Sequence, residues 1–231
     1  MNIKILSGGA ANGLVTALSP AFKAATGFGI EGDYGAVGGM YDRVGAGESV
    51  DLIILTERMI FSLKDGGHVV ANGLIGLGKV VTGLAVRSGL PIPDIRDGEA
   101  LRDVLLKADS IYLPDYVKST AGVHFASVLR KLGIFDLVEK KLKAFPNGQT
   151  AMAAMAKSGD KNPIGCTQIT EILNTPGVVY AADLPQDYGL STIYTAAQSS
   201  RSLQPDAVQA LISLLTANEN IEIRKKAGFL V

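Results

Sequence analysis

The first turn of the chain combines residue types that suit anion binding. After a β-branched apolar run come two glycines and two alanines, including Gly9 and Ala10, and then Asn12. The small residues leave the backbone open to a bound group, and Asn12 is a favoured residue at a helix start. Because a helix N-terminus carries unpaired N–H groups and a partial positive charge, the stretch predicts a strand, a turn and a helix that together hold an anion.

The same arrangement recurs further along the chain. A second small-residue turn contains Ala36, Val37 and Gly38 and precedes a helix that we expect to begin near Met40. Later turns offer hydroxyl and amide side chains close to predicted helix starts, where they can cap the helix or donate to a ligand. These later candidates for ligand contact are Ser119, Thr120, Gln149, Thr167 and Gln168.

Three residues could serve as a general base if the chain is an enzyme. His124 lies within about a turn of a predicted helix start, Lys118 precedes the same helix, and Glu57 begins another one. Each also has a structural interpretation: a surface histidine, a solvated lysine, and an acid favoured by the helix dipole. No arrangement of serine, histidine and aspartate follows from the spacing, so we predict no nucleophile.

Composition narrows the possible functions. Lys plus Arg equals Asp plus Glu at 22 each, and no tryptophan is present, which argues against nucleic-acid binding. Cys166 is the only cysteine, and the two histidines, His68 and His124, have no metal-ligand spacing. We therefore expect neither a disulfide nor a metal site, and no cofactor.

The region from 69 to 86 is the most apolar, but Asn72, Lys79 and several glycines interrupt it, so we expect no membrane insertion. Met1 leads almost directly into the first strand, without the features of a signal peptide. The expectation is either a cytoplasmic protein or a periplasmic one in its mature form, with a start Met in place of the signal.

Strand and helix patterns alternate along the chain, which predicts an α/β fold with a largely parallel sheet. One helix buries Leu14, Val15, Leu18 and Phe22 and stops at Gly27. We predict strands at 3–6, 28–34, 50–55, 79–87, 110–113, 163–166, 178–182 and 190–196.

The pattern restarts in the middle of the chain, which suggests two lobes. Residues 1–83 plus 189–231 would form lobe 1, and residues 84–188 an inserted lobe 2. The chain would cross between them near 82–86 and 183–190. Two α/β lobes on two crossings predict a hinged cleft with the ligand between the lobes, at the carboxyl ends of the strands.

The order of these elements resembles a known family. The segment IKILSGGAANGLVTALSPAFKAATG is similar to the first strand, ligand loop and helix of the bacterial type II periplasmic solute-binding proteins, in their molybdate-binding-protein-like branch. YGAVGGMYDRVGAGESVDLIIL resembles the second ligand loop, helix and third strand of that branch, and ALISLLTANENIEIRKKAGF its closing helices. The resemblance covers nearly the whole chain and implies the two-lobed type II fold.

The ligand residues of the family are not all present. Members that hold molybdate use serine hydroxyls in the first two loops and a tyrosine in the second lobe. Here the first-loop position is Ala10, the second loop reads Ala36-Val37-Gly38, and the tyrosine position falls near Thr167. A small organic carboxylate fits the remaining donors better than molybdate does.

Two functions follow from the resemblance. The first is a monomeric solute-binding protein that serves an ABC permease and closes over a small anion. The second is a cofactor-free isomerase, because the branch also includes aconitate isomerase-like proteins, and one base is enough to move a proton next to a carboxylate.

Overall fold

The computed structural model describes residues 1–231 and consists of nine strands and ten α-helices. The strands, in chain order, are β1 (Asn2–Gly8), β2 (Gly29–Gly35), β3 (Leu52–Thr56), β4 (Ile75–Arg87), β5 (Ser110–Pro114), β6 (Leu142–Phe145), β7 (Pro163–Gln168), β8 (Val178–Asp183) and β9 (Ser191–Gln198). The helices are α1 (Asn12–Thr26), α2 (Val37–Gly45), α3 (Glu57–Asp65), α4 (Gly98–Lys107), α5 (Thr120–Lys131), α6 (Phe135–Val138), α7 (Gly148–Ala156), α8 (Ile169–Leu173), α9 (Pro205–Thr216) and α10 (Ile221–Lys226). No helix has both the length and the apolar character that a membrane crossing requires.

The chain divides into two compact units, and each combines a sheet with helices. Unit 1 comprises Met1–Val80 and Thr192–Val231, and unit 2 comprises Val81–Ser191. The predicted α/β class is therefore confirmed.

Unit 1 is built on β1, which pairs in parallel with β2 and β3, while β3 pairs antiparallel with β9. All five residues of β3 are buried, as expected for a continuous apolar run inside a sheet. The predicted apolar face of α1 is also buried, and the helix ends at Gly27 in a left-handed conformation with φ of +75°.

Unit 2 has two cores because alternate residues of its strands face opposite sides of the sheet. β5 is parallel to β6 and β7, and β4 is antiparallel to β7 and β8. The first face packs Leu84, Ile111 and Cys166 against Phe125 of α5. The opposite face packs Ala85 and Tyr112 against Met152 and Met155 of α7. We call these the α5 face and the α7 face.

Several local predictions were wrong. β6 was not predicted, because all four of its residues are partly exposed and no clear alternation marks it. α2 begins at Val37 and not near Met40. Thr167 and Gln168 do precede a helix, since α8 begins at Ile169 with Gln168 in the cap position, but the strand predicted to end at residue 166 extends through both of them. The reason is tertiary: they pair antiparallel with residues 82–83 of β4, which a local pattern does not reveal.

A polar cluster ties β5 and β6 of unit 2 to the loop that precedes β7. The Asp160 carboxylate accepts hydrogen bonds from the Ser110 hydroxyl, from the Tyr112 hydroxyl at 2.8 Å and from the Lys143 ammonium at 2.8 Å. Tyr112 also stacks on Phe145, with ring centroids 5.9 Å apart. The Lys143 ammonium, followed by the two hydroxyls, lowers the pKa of Asp160 to about 2.

This cluster should make stability depend on pH. The folded-state pKa of Asp160 lies below the unfolded value of about 3.9, so its stabilisation is present above pH 4 and lost as the pH falls towards 2. We expect Asp160→Asn to lower the free energy of unfolding at pH 7 by roughly 1 kcal/mol, a value reduced for solvent screening because the side chain is 26% exposed. Urea unfolding across this pH range measures the effect.

The matched control is Asp136→Asn, which changes an exposed carboxylate on α6. A difference between wild type and Asp160→Asn that stays constant from pH 7 to pH 2 would contradict the assignment.

Candidate functional site

The first turn of unit 1 is a short 3-10 helix, Gly9–Ala11, that continues directly into α1. Its residues are buried, and its leading N–H groups have no acceptor within the helix. The bare backbone is required just before it: a Cβ at Gly8 would lie 2.6 Å from Val37 Cγ1 and 3.0 Å from Tyr194 Cε1. The turn is therefore packed against the start of α2 and against β9.

Asn12 does not cap α1 as predicted. It is the first residue of the helix, the cap position is Ala11, and no side chain bonds to the helix start there. The side-chain oxygen of Asn12 instead accepts a hydrogen bond from the Thr16 hydroxyl at 3.1 Å. The cap position differs because the 3-10 turn starts the helical conformation at Gly9, three residues before Asn12.

The second turn of unit 1 provides a similar surface. Ala36 precedes α2, and Val37, the first residue of the helix, is only 4% exposed. Gly38 follows it in the first turn, and the first intrahelical bond runs from the Met40 N–H to the Ala36 carbonyl at 3.1 Å. Both predicted loops of unit 1 thus present leading backbone amides, and Ala10 and Val37 in these loops carry no hydroxyl.

In unit 2 the loop that enters α7 is already occupied by a carboxylate of the chain itself. Glu171, in α8, is 5% exposed. Its Oε1 accepts a hydrogen bond from the Gly148 N–H at 3.2 Å, and its Oε2 accepts one from the Thr167 hydroxyl at 2.5 Å. The backbone N–H groups of Gln149 and Gln168 donate to the same carboxylate.

The remaining leading amide of α7 is also satisfied. The Thr150 N–H donates to Asn147 Oδ1 at 2.8 Å, within a capping box. Gly148 must lack a side chain, since a Cβ there would collide with both Thr167 and Glu171. The leading amides of α7 at Gly148 and Thr150 are therefore bonded within the chain.

Burial dominates the electrostatics of Glu171. Desolvation raises its pKa above the usual range, although the Thr167 hydroxyl and the backbone N–H groups that it accepts from act in the opposite direction. The chain thus supplies an acid in the place where an anionic ligand was expected.

Polar residues on the α5 face make fewer hydrogen bonds within the chain. Ser119 occupies the cap position of α5, but its hydroxyl makes no capping hydrogen bond. Thr120 is the first residue of the helix, and the first intrahelical bond runs from the Val123 N–H to the Ser119 carbonyl at 2.9 Å. Gln168, at the carboxyl end of β7, is 2% exposed, and neither atom of its side-chain amide has a partner.

Geometry separates the predicted ligand residues of unit 2. Since β5 and β7 are parallel, their carboxyl ends lie at one edge of the sheet, and the loop after β5 leads to Ser119 and Thr120. Gln168 shares a face with Cys166, which belongs to the core on the α5 face. Thr167 and Gln149 belong to the α7 face, where Glu171 engages the Thr167 hydroxyl and the Gln149 backbone amide.

The three predicted bases are distributed over both units. Glu57 begins α3 in unit 1, whereas Lys118 and His124 lie in unit 2. His124 Nε2 lies 2.7 Å from the Tyr188 carbonyl oxygen, which can only accept, so Nε2 carries the proton. Only Nδ1 of a neutral His124 could therefore remove a proton from a substrate. No group of three or more His, Cys, Asp or Glu side chains is placed to hold a metal ion.

Glu171 and Thr82 were missed by the sequence reasoning. Glu171 is the one charged residue in IGCTQITEIL, and Thr82 is the one hydroxyl residue in the strand KVVTGLAVR. An isolated polar residue in an apolar stretch was the available signal for both, because buried polar groups in proteins are normally paired.

The model of the bacterial extracellular solute-binding protein family matches residues 3–230, and the chain belongs to that family. It has the two-lobed type II periplasmic-binding-protein fold of the molybdate-binding-like branch, as the sequence resemblance implied.

Two solved structures illustrate the likeness in fold. The periplasmic molybdate-binding protein of Azotobacter vinelandii is 16% identical, with 99% of each chain covered and a TM-score of 0.80. The sulfate-binding protein SubI of Mycobacterium tuberculosis H37Rv is 21% identical, with 99% of this chain and 86% of that one covered and a TM-score of 0.75.

A relative with a named activity is similar over nearly the whole chain. It is an aconitate isomerase from a Pseudomonas species, 26% identical over 234 residues, which cover 98% of this chain and 86% of the isomerase. The chain is thus similar in fold to binding proteins and in sequence to a protein named as an isomerase.

Removing the internal carboxylate should destabilise unit 2. Glu171→Leu leaves the Gly148 N–H and the Thr167 hydroxyl without their acceptor, so we expect a loss of about 2–4 kcal/mol in the free energy of unfolding. Urea unfolding measures it, with Glu139→Gln, at an exposed position, as the control.

Glu171→Gln tests the charge separately. The raised folded-state pKa means that the contribution of Glu171 is complete below the unfolded pKa and declines as pH rises through the folded one. Wild type should therefore gain stability relative to Glu171→Gln as pH is lowered from 8 to 5. The opposite slope, or a Glu171→Leu variant as stable as wild type, would contradict this account.

Proposed function

We propose that the chain is a solute-binding protein that takes a small organic carboxylate between its two lobes. The observation that carries the proposal is the contrast between helix starts. The starts of α2, α5 and the 3-10 turn before α1 have no side-chain cap, whereas the start of α7 is bonded by Glu171 and Asn147. Backbone amides at helix starts bind anions well.

The missing hydroxyls favour a carboxylate over a tetrahedral oxyanion. Ala10 and Val37 stand in the two loops of unit 1, so the donors there are main-chain N–H groups in apolar surroundings. A planar carboxylate needs fewer donors than molybdate or sulfate. Its carbon skeleton also gains from contact with the apolar side chains.

The proposed ligand contacts are the residues predicted from the sequence, apart from two that the structure uses elsewhere. From unit 1 they are Gly9, Ala10, Asn12, Ala36, Val37 and Gly38. From unit 2 they are Ser119, Thr120 and Gln168. Gln149 and Thr167 act behind the site, by holding Glu171. Movement at the crossings near 82–86 and 183–190 would open and close the cleft.

The family makes a transport role the first choice. In this role the chain works as a monomer in the periplasm and delivers its ligand to an ABC permease. It requires no cofactor.

An isomerase on the same fold is the second candidate, favoured by the 26% identity to the aconitate isomerase. The reaction would move a proton in a small polycarboxylate. His124 through Nδ1, Lys118 and Glu57 are the candidate bases, of which His124 lies on α5, the helix that also carries Thr120.

Loss of the α5 hydroxyls should weaken binding. The ligand is first found by saturation-transfer NMR on a mixture of small di- and tricarboxylates. For the acid that responds, we expect Ser119→Ala with Thr120→Ala to reduce the binding free energy by roughly 1–3 kcal/mol, because each charge-assisted hydrogen bond contributes on that order. Isothermal titration calorimetry provides the measurement.

The control for this double variant is Ser127→Ala in the same helix, since the Ser127 hydroxyl bonds back to the His124 carbonyl. Equal affinity of wild type and the double variant would refute the assigned contacts.

Proton NMR in D₂O distinguishes the two functions. A receptor leaves the bound acid unchanged for hours. An isomerase removes an α-proton signal or produces the signals of an isomer, and His124→Gln should then slow the exchange by about 100-fold or more if His124 is the base. Turnover that survives this substitution would exclude His124.

A further inference from the structure

Two buried polar side chains of unit 2 face each other without a partner. Thr82 is 1% exposed and Gln168 is 2% exposed. The hydroxyl of Thr82 and both amide atoms of Gln168 make no hydrogen bond. They are opposite residues in the antiparallel pair of β4 and β7, so their side chains lie on the same face of the sheet with Cβ atoms about 5 Å apart.

The position of this pair relates it to the ligand loops. Both residues lie on the α5 face, and Gln168 is at the carboxyl end of β7, the edge to which the loop before α5 belongs. Thr82 is the second residue of unit 2, and its N–H donates to the Leu190 carbonyl at 3.0 Å, next to the other point where the chain passes between units.

Leaving these groups unpaired is costly. A buried amide or hydroxyl without a hydrogen bond is destabilised relative to a paired one, and such groups in folded proteins usually have a partner. The neighbouring polar residue Thr167 shows the contrast, since its hydroxyl is fully used by Glu171. The pair Thr82–Gln168 is therefore built for a group from outside the chain.

The donors and acceptors of Thr82 and Gln168 determine which ligand group can bind to them. The Gln168 amide has a donor and an acceptor, and the Thr82 hydroxyl can do both. A carboxylate only accepts, so it would leave the Gln168 oxygen unpaired. An alcohol or a carboxamide satisfies both functions without added charge.

We propose that Thr82 and Gln168 form a specificity subsite for an uncharged donor–acceptor group, the alcohol or carboxamide of a small acid. The inference rests on the proposed function and deepens it. The carboxylate of the ligand binds at the helix starts, and Thr82 and Gln168 form hydrogen bonds with its alcohol or carboxamide. The favoured ligands are hydroxy acids or their amide analogues, and the corresponding acids without that group bind more weakly.

The test uses two pairs of acids that differ by one hydroxyl, malate with succinate and citrate with tricarballylate. Calorimetry on wild type should show at least tenfold tighter binding of the hydroxy acid in one pair, because a buried site that hydrogen-bonds an alcohol rejects the analogue without it. Gln168→Met and Thr82→Val should bring the ratio within that pair close to one, because the hydroxy acid then loses its hydrogen bonds to the subsite. Ser127→Ala, the control, should retain the ratio.

Stability provides a second readout. Gln168→Met removes an amide that has no partner in the protein, so the midpoint of urea unfolding should stay the same or rise. A clear fall would mean that the amide is bound inside the protein and would overturn the subsite. Equal binding within both acid pairs, or a ratio that survives Gln168→Met, would overturn it as well.

The proposed function can fail independently. If none of the four acids shifts the backbone amide signals of ¹⁵N-labelled protein, anion binding of this class is wrong. Glycolamide, which is uncharged and carries both groups, is then titrated while the side-chain NH₂ signal of Gln168 is followed, assigned by its loss in Gln168→Met. A shift of that signal supports the subsite, and no shift overturns it too.

Discussion

The buried carboxyl of Glu171 is the interaction on which the organisation of unit 2 depends. It joins α8 to the start of α7 and to β7 through the Gly148 N–H, the Thr167 hydroxyl and two further backbone N–H groups. A carboxylate in this environment is stable only with such donors, because desolvation alone disfavours its charge. The absence of a side chain at Gly148 is a direct consequence, since no space is left for one.

The two faces of the sheet in unit 2 differ in how their polar groups are bonded. On the α7 face the polar groups described above are bonded within the chain. On the α5 face the Ser119 hydroxyl makes no cap and the Gln168 amide has no partner. Unit 1 contributes backbone amides between apolar side chains such as Val37. The donors for a ligand thus come from main chain on one unit and from main chain plus neutral side chains on the other.

The sequence predicted the architecture well because periodicity and order of elements are local signals. The buried face of α1, its end at Gly27 and the continuous apolar strand β3 were read correctly from residue types alone. The replacement of hydroxyls by Ala10 and Val37 was also visible. These features require no knowledge of which strands are neighbours.

The rest depended on tertiary contacts. Asn12 was taken as a cap, but the 3-10 turn before it moved the helix start. β7 extends to Gln168 because β4 pairs with it, which no local pattern shows. The partnership of Glu171 with Gly148 spans 23 residues of sequence, so the carboxyl could not be assigned to the start of α7. The ligand contacts themselves stay predictions.

The central claim is that the start of α7 is occupied from within the protein. The most direct measurement is the scalar coupling across the hydrogen bond between the Gly148 amide nitrogen and the side-chain carboxyl carbon of Glu171, in labelled protein at neutral pH. We expect a detectable coupling that persists when a mixture of small organic acids is added. Absence of the coupling, or its loss when an acid binds, would mean that these donors serve the ligand and would contradict the account.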